Sequence, residues 1–536
     1  MIKRIAIDQK KRLENPIDEP LKISIMPDQS TSKLNGEFLH FQLLIDCLLR
    51  MKTDETNRQE LIDFIRQIYK FNSSQLNLVK EFTENYSSQR ALWWYTRESF
   101  VYRLLNKALR VQNIDLLYQF RFVLSDLEQE LKQMQCSTPQ LVYRGQLMSK
   151  DELHSLKKSL GEYISIHSLF STSLKKQKAL EFLNTYSFSN DLETVLFEIT
   201  ANLSSTQSMK PFANISSKSF YSTEHEVLFM SGCVFQLISY QQENNLHVFR
   251  LTTAEDQQDY HRLFQNIKNE YSAINDQPSL LTFANLLHQM GRYDLAEKYF
   301  RKFLNDPSSN PDDLPKCYYA LGILTLINDQ YDTSLEWHKK SLQLLSPTDP
   351  HLADSYNCIG CIYQKKGDYQ QALDYYGQAW QIWTQSFGEE YYKIADCLNN
   401  IGCIYEKLDN YSTALEYHQK ALVLRQKYLP ANHSDLGASY NNIGNVYFLL
   451  QKYDFALENY QKAYEIKLQS LPNQHVSLAL TLENIGLVYE EKQWLKQALD
   501  YYQRAAKIFR EIFSKTHAHV IEIDNNIQRI KSILKS

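Results

Sequence analysis

Four strings in the C-terminal half align without a gap: YNCIGCIYQKKGDYQQALDYYGQAW, LNNIGCIYEKLDNYSTALEYHQKAL, YNNIGNVYFLLQKYDFALENYQKAY and LENIGLVYEEKQWLKQALDYYQRAA. Their glycines, Gly360, Gly402, Gly444 and Gly486, follow one another at 42-residue steps. Twelve residues after each comes an alanine (Ala372, Ala414, Ala456, Ala498), and seven further on another (Ala379, Ala421, Ala463, Ala505). Two weaker copies, LTFANLLHQMGRYDLAEKYFRKFL and YYALGILTLINDQYDTSLEWHKKSL, precede them at a spacing of 38. A repeat of this kind admits few folds. One copy is too short to bury its apolar side alone, so copies must stack. The small residues mark where two antiparallel helices cross closely, and Tyr363, Tyr405, Tyr447 and Tyr489 fill the space one turn beyond each glycine.

The pattern resembles the tetratricopeptide repeat, and its period, longer than the usual ~34 residues, is similar to that of the kinesin-light-chain variety. Six copies over residues 277–515 imply an all-α superhelix, with residues 516–536 as a helix capping its apolar end. The resemblance also implies a concave groove that takes a peptide or protein. Asn357, Asn399 and Asn441 stand at one equivalent position, and Asn400, Asn442 and Asn484 at the next. Two readings are open. The first group binds the backbone of an extended peptide, or the amides bond neighbouring helices inside the array.

The N-terminal half has another texture. A chain of 536 residues suggests about three or four domain-sized units. Residues 37–133 carry apolar side chains at three- and four-residue steps, as in EFLHFQLLIDCLLRM and ALWWYTRESFVYRLLNKALR. From 141 the runs turn β-rich: LVYRGQL, YISIHSLFSTSL, TVLFEIT, EVLFMSGCVFQLISY and LHVFRLTT. Helices followed by strands predict an α+β domain with a mixed sheet over 37–255. The polar segment 1–36 is expected to be loose. The segment 256–276, without Pro/Gly-rich flexibility, is expected to be a helical linker.

Composition excludes several classes. A formal charge of −4 offers no nucleic-acid surface or basic membrane patch. No run approaches the roughly 20 apolar residues of a membrane span, and the termini show neither a secretory h-region nor a lipid-anchor signal. The pair Cys358-x-x-Cys361 has no second pair of matching spacing, so it reads as small buried residues rather than zinc or redox chemistry. There is no Walker loop, zinc motif or dinucleotide fingerprint. A cytoplasmic protein with free thiols and no metal is expected.

Chemistry is suggested by SKSFYSTEHEVLF, where Glu224 and Glu226 flank His225 ahead of an apolar run. If strand geometry holds at 224, both carboxylates share a face and repel, with His225 on the other. A sequence tolerates that for chemistry or for solvation. Arg144 closes the first β-run and Ser171 opens STS after SLF. An arginine, a serine and a Glu-x-Glu, in this order and each at a strand edge, resemble the Arg–Ser–Glu class of mono-ADP-ribosyltransferases over residues 75–255. Tyr221, three before Glu224, stands where the family has an aromatic residue facing the acceptor. Phe182, eleven after Ser171, stands near the family's nicotinamide-stacking phenylalanine, though it is equally a core candidate. Tyr102 and Asn106 in YRLLN fit the Tyr-x-x-x-Asn that relatives offer to the nucleotide. Trp93 and Trp94 read as core.

The resemblance implies NAD as substrate, cleaved between nicotinamide and ribose through an oxocarbenium-like sugar. Glu226 would stabilise that cation, Arg144 and the adjacent Gly145 would hold the phosphates, and Ser171 would aim Glu226. Glu224, a glutamate where other branches carry Gln, would direct transfer to arginine and accept its proton. The expected activity is NAD+–protein-arginine ADP-ribosyltransfer. The alternatives are an NAD glycohydrolase and a non-catalytic repeat scaffold.

Overall fold

The computed structural model describes residues 23–26, 36–136, 138–184, 192–202, 210–221, 223, 225–253, 277–307, 309–471 and 475–535. They belong to two compact units, Met1–Tyr299 and Phe300–Ser536. The expected linker 256–276 lies outside the described residues, apart from its neighbours at 253 and 277.

In the first unit, seven α-helices among the described residues precede most of the sheet: α1 (Gly36–Arg50), α2 (Glu55–Ile68), α3 (Ser73–Asn85), α4 (Ala91–Thr96), α5 (Phe100–Arg110), α6 (Ile114–Gln119) and α7 (Arg121–Gln133). Four begin at a side-chain cap. Asp54, Asn72, Ser99 and Asn113 each accept a backbone N–H from the first turn that follows, which supplies partners for donors a helix start leaves unpaired. Phe100, Val101, Leu104, Leu105, Ala108 and Leu109 give α5 a continuous buried face, and Phe82, Trp94 and Phe100 pack edge to face beneath it.

Among the described residues, nine strands follow the order β1-β3-β8-β9-β5-β2-β4-β7-β6. They are β1 (Ile23–Met26), β2 (Gln140–Ser149), β3 (Tyr163–Ile166), β4 (Phe170–Ser173), β5 (Leu192–Ala201), β6 (Phe212–Asn214), β7 (Glu226–Phe229), β8 (Val234–Glu243) and β9 (Leu246–Thr253). The sheet is mixed, because β5 and β9 run parallel while the other neighbours are antiparallel. Two stretches that read as single runs are each divided. YISIHSLFSTSL becomes β3 and β4, and EVLFMSGCVFQLISY becomes β7 and β8. Yet they stay paired in one register along both halves, from Tyr163 opposite Gln236 to Ser173 opposite Glu226. They form one antiparallel ribbon that bends around 167–169 and 230–233, with Gly232 at φ 85° in the bend. The bend sends β3–β8 and β4–β7 to opposite sides of the central strands β9-β5-β2, the way strands turn corners between packed sheets. Phe170, Phe197, Phe229, Phe235 and Phe249 fill the core so enclosed.

The expectation of a loose 1–36 is corrected at one place. Ile23–Met26 pairs with Tyr163–Ile166 and supplies the edge strand, because the β-prone ISIM covers hydrogen-bonding groups that β3 would otherwise leave open.

The repeats are helix pairs throughout: α10 (Leu280–Gln289) with α11 (Tyr293–Asn305), α12 (Leu314–Ile327) with α13 (Tyr331–Leu344), α14 (His351–Lys366) with α15 (Tyr369–Phe387), α16 (Ile394–Lys407) with α17 (Tyr411–Tyr428), α18 (Ser434–Leu449) with α19 (Tyr453–Ser470), and α20 (Val476–Glu491) with α21 (Leu495–Ile512). The division between units falls within the first pair. There Phe283 and Tyr299 pack on Tyr118 of α6, and the Tyr299 hydroxyl donates to Asp115 at 2.9 Å. A Cβ on Gly360 would sit 2.7 Å from the Tyr376 ring, and one on Gly402 2.8 Å from the His418 ring. That contact explains why glycine recurs at the crossing. A final helix, α22 (Ala518–Lys535), buries Val520, Ile523, Ile527 and Ile530 against Tyr502 and Phe509. Among the described residues no helix is long and apolar enough to cross a membrane.

Candidate functional site

β2, β4 and β7 are consecutive neighbours in the sheet, so Arg144, Ser171 and Glu226 arrive on three adjoining strands. Arg144 donates from Nη1 to the Ser171 carbonyl at 2.6 Å and from Nη2 and Nε to Gln146 Oε1 at 3.2 and 3.4 Å. Its guanidinium lies 4.8 Å from the Phe170 ring centre, a cation–π contact. Burial pulls its pKa below the ordinary arginine value; Tyr102 opposes that and Arg110 adds to it, with Glu226 also within electrostatic reach. Gly145 serves packing. After β2 come α8 (Lys150–Lys158) and α9 (Lys176–Asn184), and a Cβ on Gly145 would meet the Ala179 carbonyl of α9 at 2.3 Å.

Glu226 opens β7 and is only 8% exposed. The Ser219 hydroxyl donates to its Oε2 at 3.5 Å, and Ser173 stands directly across on β4. Ser171 pairs with Leu228, two residues along the strand and on the same face, which places it diagonal to Glu226, while Ser173 holds the directly facing position and Ser219 the hydroxyl contact.

β7 begins at Glu226; before it His225 has φ 51°, and its carbonyl accepts the Leu174 N–H at 3.1 Å. The expectation for Glu224 lies outside the described residues.

The loop before β7 is clamped. Phe220 N–H donates to Thr96 Oγ1 at 2.8 Å, and Lys218 pairs with Glu130. The Phe220 ring meets Trp93 and Tyr221 edge-on at 5.4 and 4.9 Å, while Arg97 lies over Trp93, Trp94 and Phe220 and pairs with Glu81. Tyr221 projects from this clamp, 43% exposed. Trp94 is core as expected, whereas the partly buried Trp93 builds the loop's platform.

Tyr102 is 37% exposed. Asn106 is corrected as a nucleotide contact: buried, it donates to the Tyr95 hydroxyl at 2.9 Å and to the Tyr102 carbonyl at 3.1 Å. Tyr95 lies outside the sequence motifs. Burial, first, and then Tyr102 and Glu226 push its pKa well up, against the bond to Asn106. Arg110 lies outside the motifs too; its charge reaches both Tyr95 and Arg144, and its buried Nε has no hydrogen-bond partner. Phe182 is exposed on α9. The facing position of Ser173 follows from pairing the two apolar runs in antiparallel register; Tyr95 and Arg110 have no local signal.

In the array the asparagines are engaged internally. Asn442 donates to Asn399 Oδ1 at 2.8 Å, Thr481 and Asn484 donate to Asn441 Oδ1 at 3.3 and 3.5 Å, and Asn400 reaches Cys361 Sγ at 3.6 Å. The peptide-ladder reading of Asn399 and Asn441 is corrected accordingly: the stacking distance between first helices suits an amide bridge, and the bridges form. Asn357 is the exception, its Oδ1 buried without a partner. Cys358 and Cys361 are free, partly buried thiols, and burial raises the pKa of both.

Family profiles for the tetratricopeptide repeat match residues 278–305, 313–379, 351–427 and 435–517. The C-terminal part of the chain is therefore a tetratricopeptide array. BtubC from P. vanneervenii is 21% identical over 42% of this chain and 91% of its own, with a TM-score of 0.36. A kinesin-light-chain repeat protein of Podosopora anserina is 17% identical over 37% of this chain and 97% of its own, with a TM-score of 0.32. YrrB, described as a TPR protein with an unusual peptide-binding site, is 20% identical over 40% of this chain and 94% of its own, with a TM-score of 0.27. No curated protein matches the sequence.

Proposed function

We propose that the α+β part of the chain is an NAD+–protein-arginine mono-ADP-ribosyltransferase and that the tetratricopeptide array binds its target or a partner. One observation carries this reading: Arg144, Ser171 and Glu226, far apart in sequence, stand on the adjacent strands β2, β4 and β7. A buried carboxylate and a partly buried arginine within electrostatic reach of each other suit a substrate whose ribose turns cationic as its bond to nicotinamide breaks and whose diphosphate is anionic.

The bond between the nicotinamide nitrogen and the ribose carbon breaks, and its electron pair leaves with nicotinamide. Glu226 stabilises the cationic sugar. A guanidinium nitrogen of the acceptor arginine forms the new bond to that carbon, and Glu224 takes the proton released. Arg144, held by the Ser171 carbonyl and Gln146, orients the phosphates. The clamped Tyr221 stands on the loop that meets the acceptor.

The test is incubation with labelled NAD and either an arginine-rich protein or a small guanidino compound, using wild type, Glu224→Gln and Glu226→Gln. Label transfer lost in both variants, with NAD cleavage kept only by Glu224→Gln, supports the assigned roles. Nicotinamide release without labelled acceptor makes the protein a glycohydrolase. No turnover by wild type leaves the scaffold reading.

A further inference from the structure

We propose that Cys403, Glu406 and His418 form a site for a divalent transition metal of the zinc class inside the array. Cys403 and Glu406 lie three residues apart on α16, hence on one helix face; His418 comes from α17 and is fully buried. One ligating atom from each lies within 4.8 Å of the others, the one such group among the described residues.

The hydrogen bonds around His418 constrain what occupies the space between these atoms. Its Nδ1 is 3.2 Å from Asn399 Oδ1, an oxygen that also accepts from Asn442. A carbonyl oxygen cannot donate, so Nδ1 carries the proton. In a neutral imidazole Nε2 is then a lone pair, and it faces Glu406 Oε1 at 2.8 Å. Two lone pairs at that separation repel unless a cation bridges them. A proton needs only those two atoms. A zinc-class ion also takes a thiol, and Cys403 offers one within 4.8 Å of both atoms; a carbonyl on the far ring nitrogen is how metal-bound histidines are oriented.

The neighbouring repeats show what the position does without a metal. Sixteen residues after Gly360, Gly444 and Gly486 stands a tyrosine, whose hydroxyl supplies its own proton, and after Gly322 stands His338, with the apolar Ile323 and Leu326 at the other two positions. Tyr376 reaches Gln364 Oε1 at 2.7 Å and Cys361 Sγ at 3.2 Å; Tyr460 reaches Asn445 and Tyr502 reaches Glu490, both at 2.8 Å. The ring tip at this place therefore meets the side chains one and four residues past the glycine. Only after Gly402 are all three positions metal-binding types. Tetrahedral ligand atoms at Zn–N and Zn–S lengths of about 2.0–2.3 Å stand some 3–4 Å apart, so the Glu406 oxygen draws back from its 2.8 Å contact with His418 Nε2 to admit the ion. Water completes the fourth position.

The experiment is titration of the reduced full-length chain with Co2+, followed by Zn2+. One equivalent of Co2+ should produce a thiolate-to-cobalt charge-transfer band in the near ultraviolet, bleached by Zn2+. His418→Tyr and Cys403→Asn install residues that sister repeats carry at these positions, so the array should stay folded by circular dichroism while the band is lost. Asn399→Ala should weaken Co2+ binding about 10- to 100-fold. Excess Zn2+ should raise the thermal midpoint of wild type but not of His418→Tyr. Absence of a stoichiometric band in wild type, or a band surviving in folded His418→Tyr and Cys403→Asn, overturns the site and leaves a protonated His418–Glu406 pair.

Discussion

His338 is fully buried, and neither ring nitrogen has a hydrogen-bond partner. It fills the slot over Gly322 that His418 fills over Gly402, but without the polar neighbours. Burial lowers its pKa from 6.5 to about 4. Between those values the unfolded chain binds a proton that the folded chain does not, so stability present above pH 6.5 is lost as pH falls through about 4. The loss is worth up to about 3 kcal/mol. His338→Phe should flatten that part of the pH profile, and denaturant unfolding at pH 4.5 and 7 checks it. At the candidate site, Arg144 spans the Ser171 carbonyl and Gln146 with a planar fork, which a lysine ammonium cannot reproduce. Arg144→Lys is expected to lower label transfer from NAD by about 100-fold or more, measured beside an unchanged thermal midpoint.

The turns inside the repeats show where a local pattern is kept at a conformational cost. Seven residues past each repeat glycine the chain enters the left-handed region: Gly367 at φ 82°, but Asp329, Asp409, Gln451 and Gln493 at 55–60°. A residue with a Cβ pays roughly 1–2 kcal/mol there. Gln451→Gly should therefore raise stability by about 1 kcal/mol, read as a higher midpoint in thermal melts. In the first unit, the ribbon of β3–β4 and β7–β8 shows the opposite limit. Its β-rich composition is plain in YISIHSLFSTSL and EVLFMSGCVFQLISY, but its bend is not, because the bend depends on which central strands each half must reach. Ser173 rather than Ser171 faces Glu226 for the same reason: the register belongs to a pair of strands some fifty residues apart.

Each of the two units has its own apolar core, so calorimetry should resolve two unfolding transitions. The first helix pair belongs partly to the N-terminal unit, where Tyr118, Phe283 and Tyr299 share one aromatic cluster. A chain ending at 276 should unfold at a lower temperature than one ending at 305, since removing the pair strips Tyr118 of both aromatic partners, a loss of about 3 kcal/mol or more. The sequence by itself determined the helical array, the cap at its end, the α+β character of the first half and the order of the Arg, Ser and Glu motifs. Those features live in short-range periodicity, where i, i+3, i+4 and i+2 spacing carries the physics. Only the tertiary structure decided that β2, β4 and β7 are neighbours, that Asn399 and Asn441 bridge helices and that Asn106 holds Tyr95. It alone brought Cys403 and Glu406 to His418 across a helix crossing. Each of these depends on which surfaces meet when apolar faces are buried, and a single strand or helix does not contain its partner.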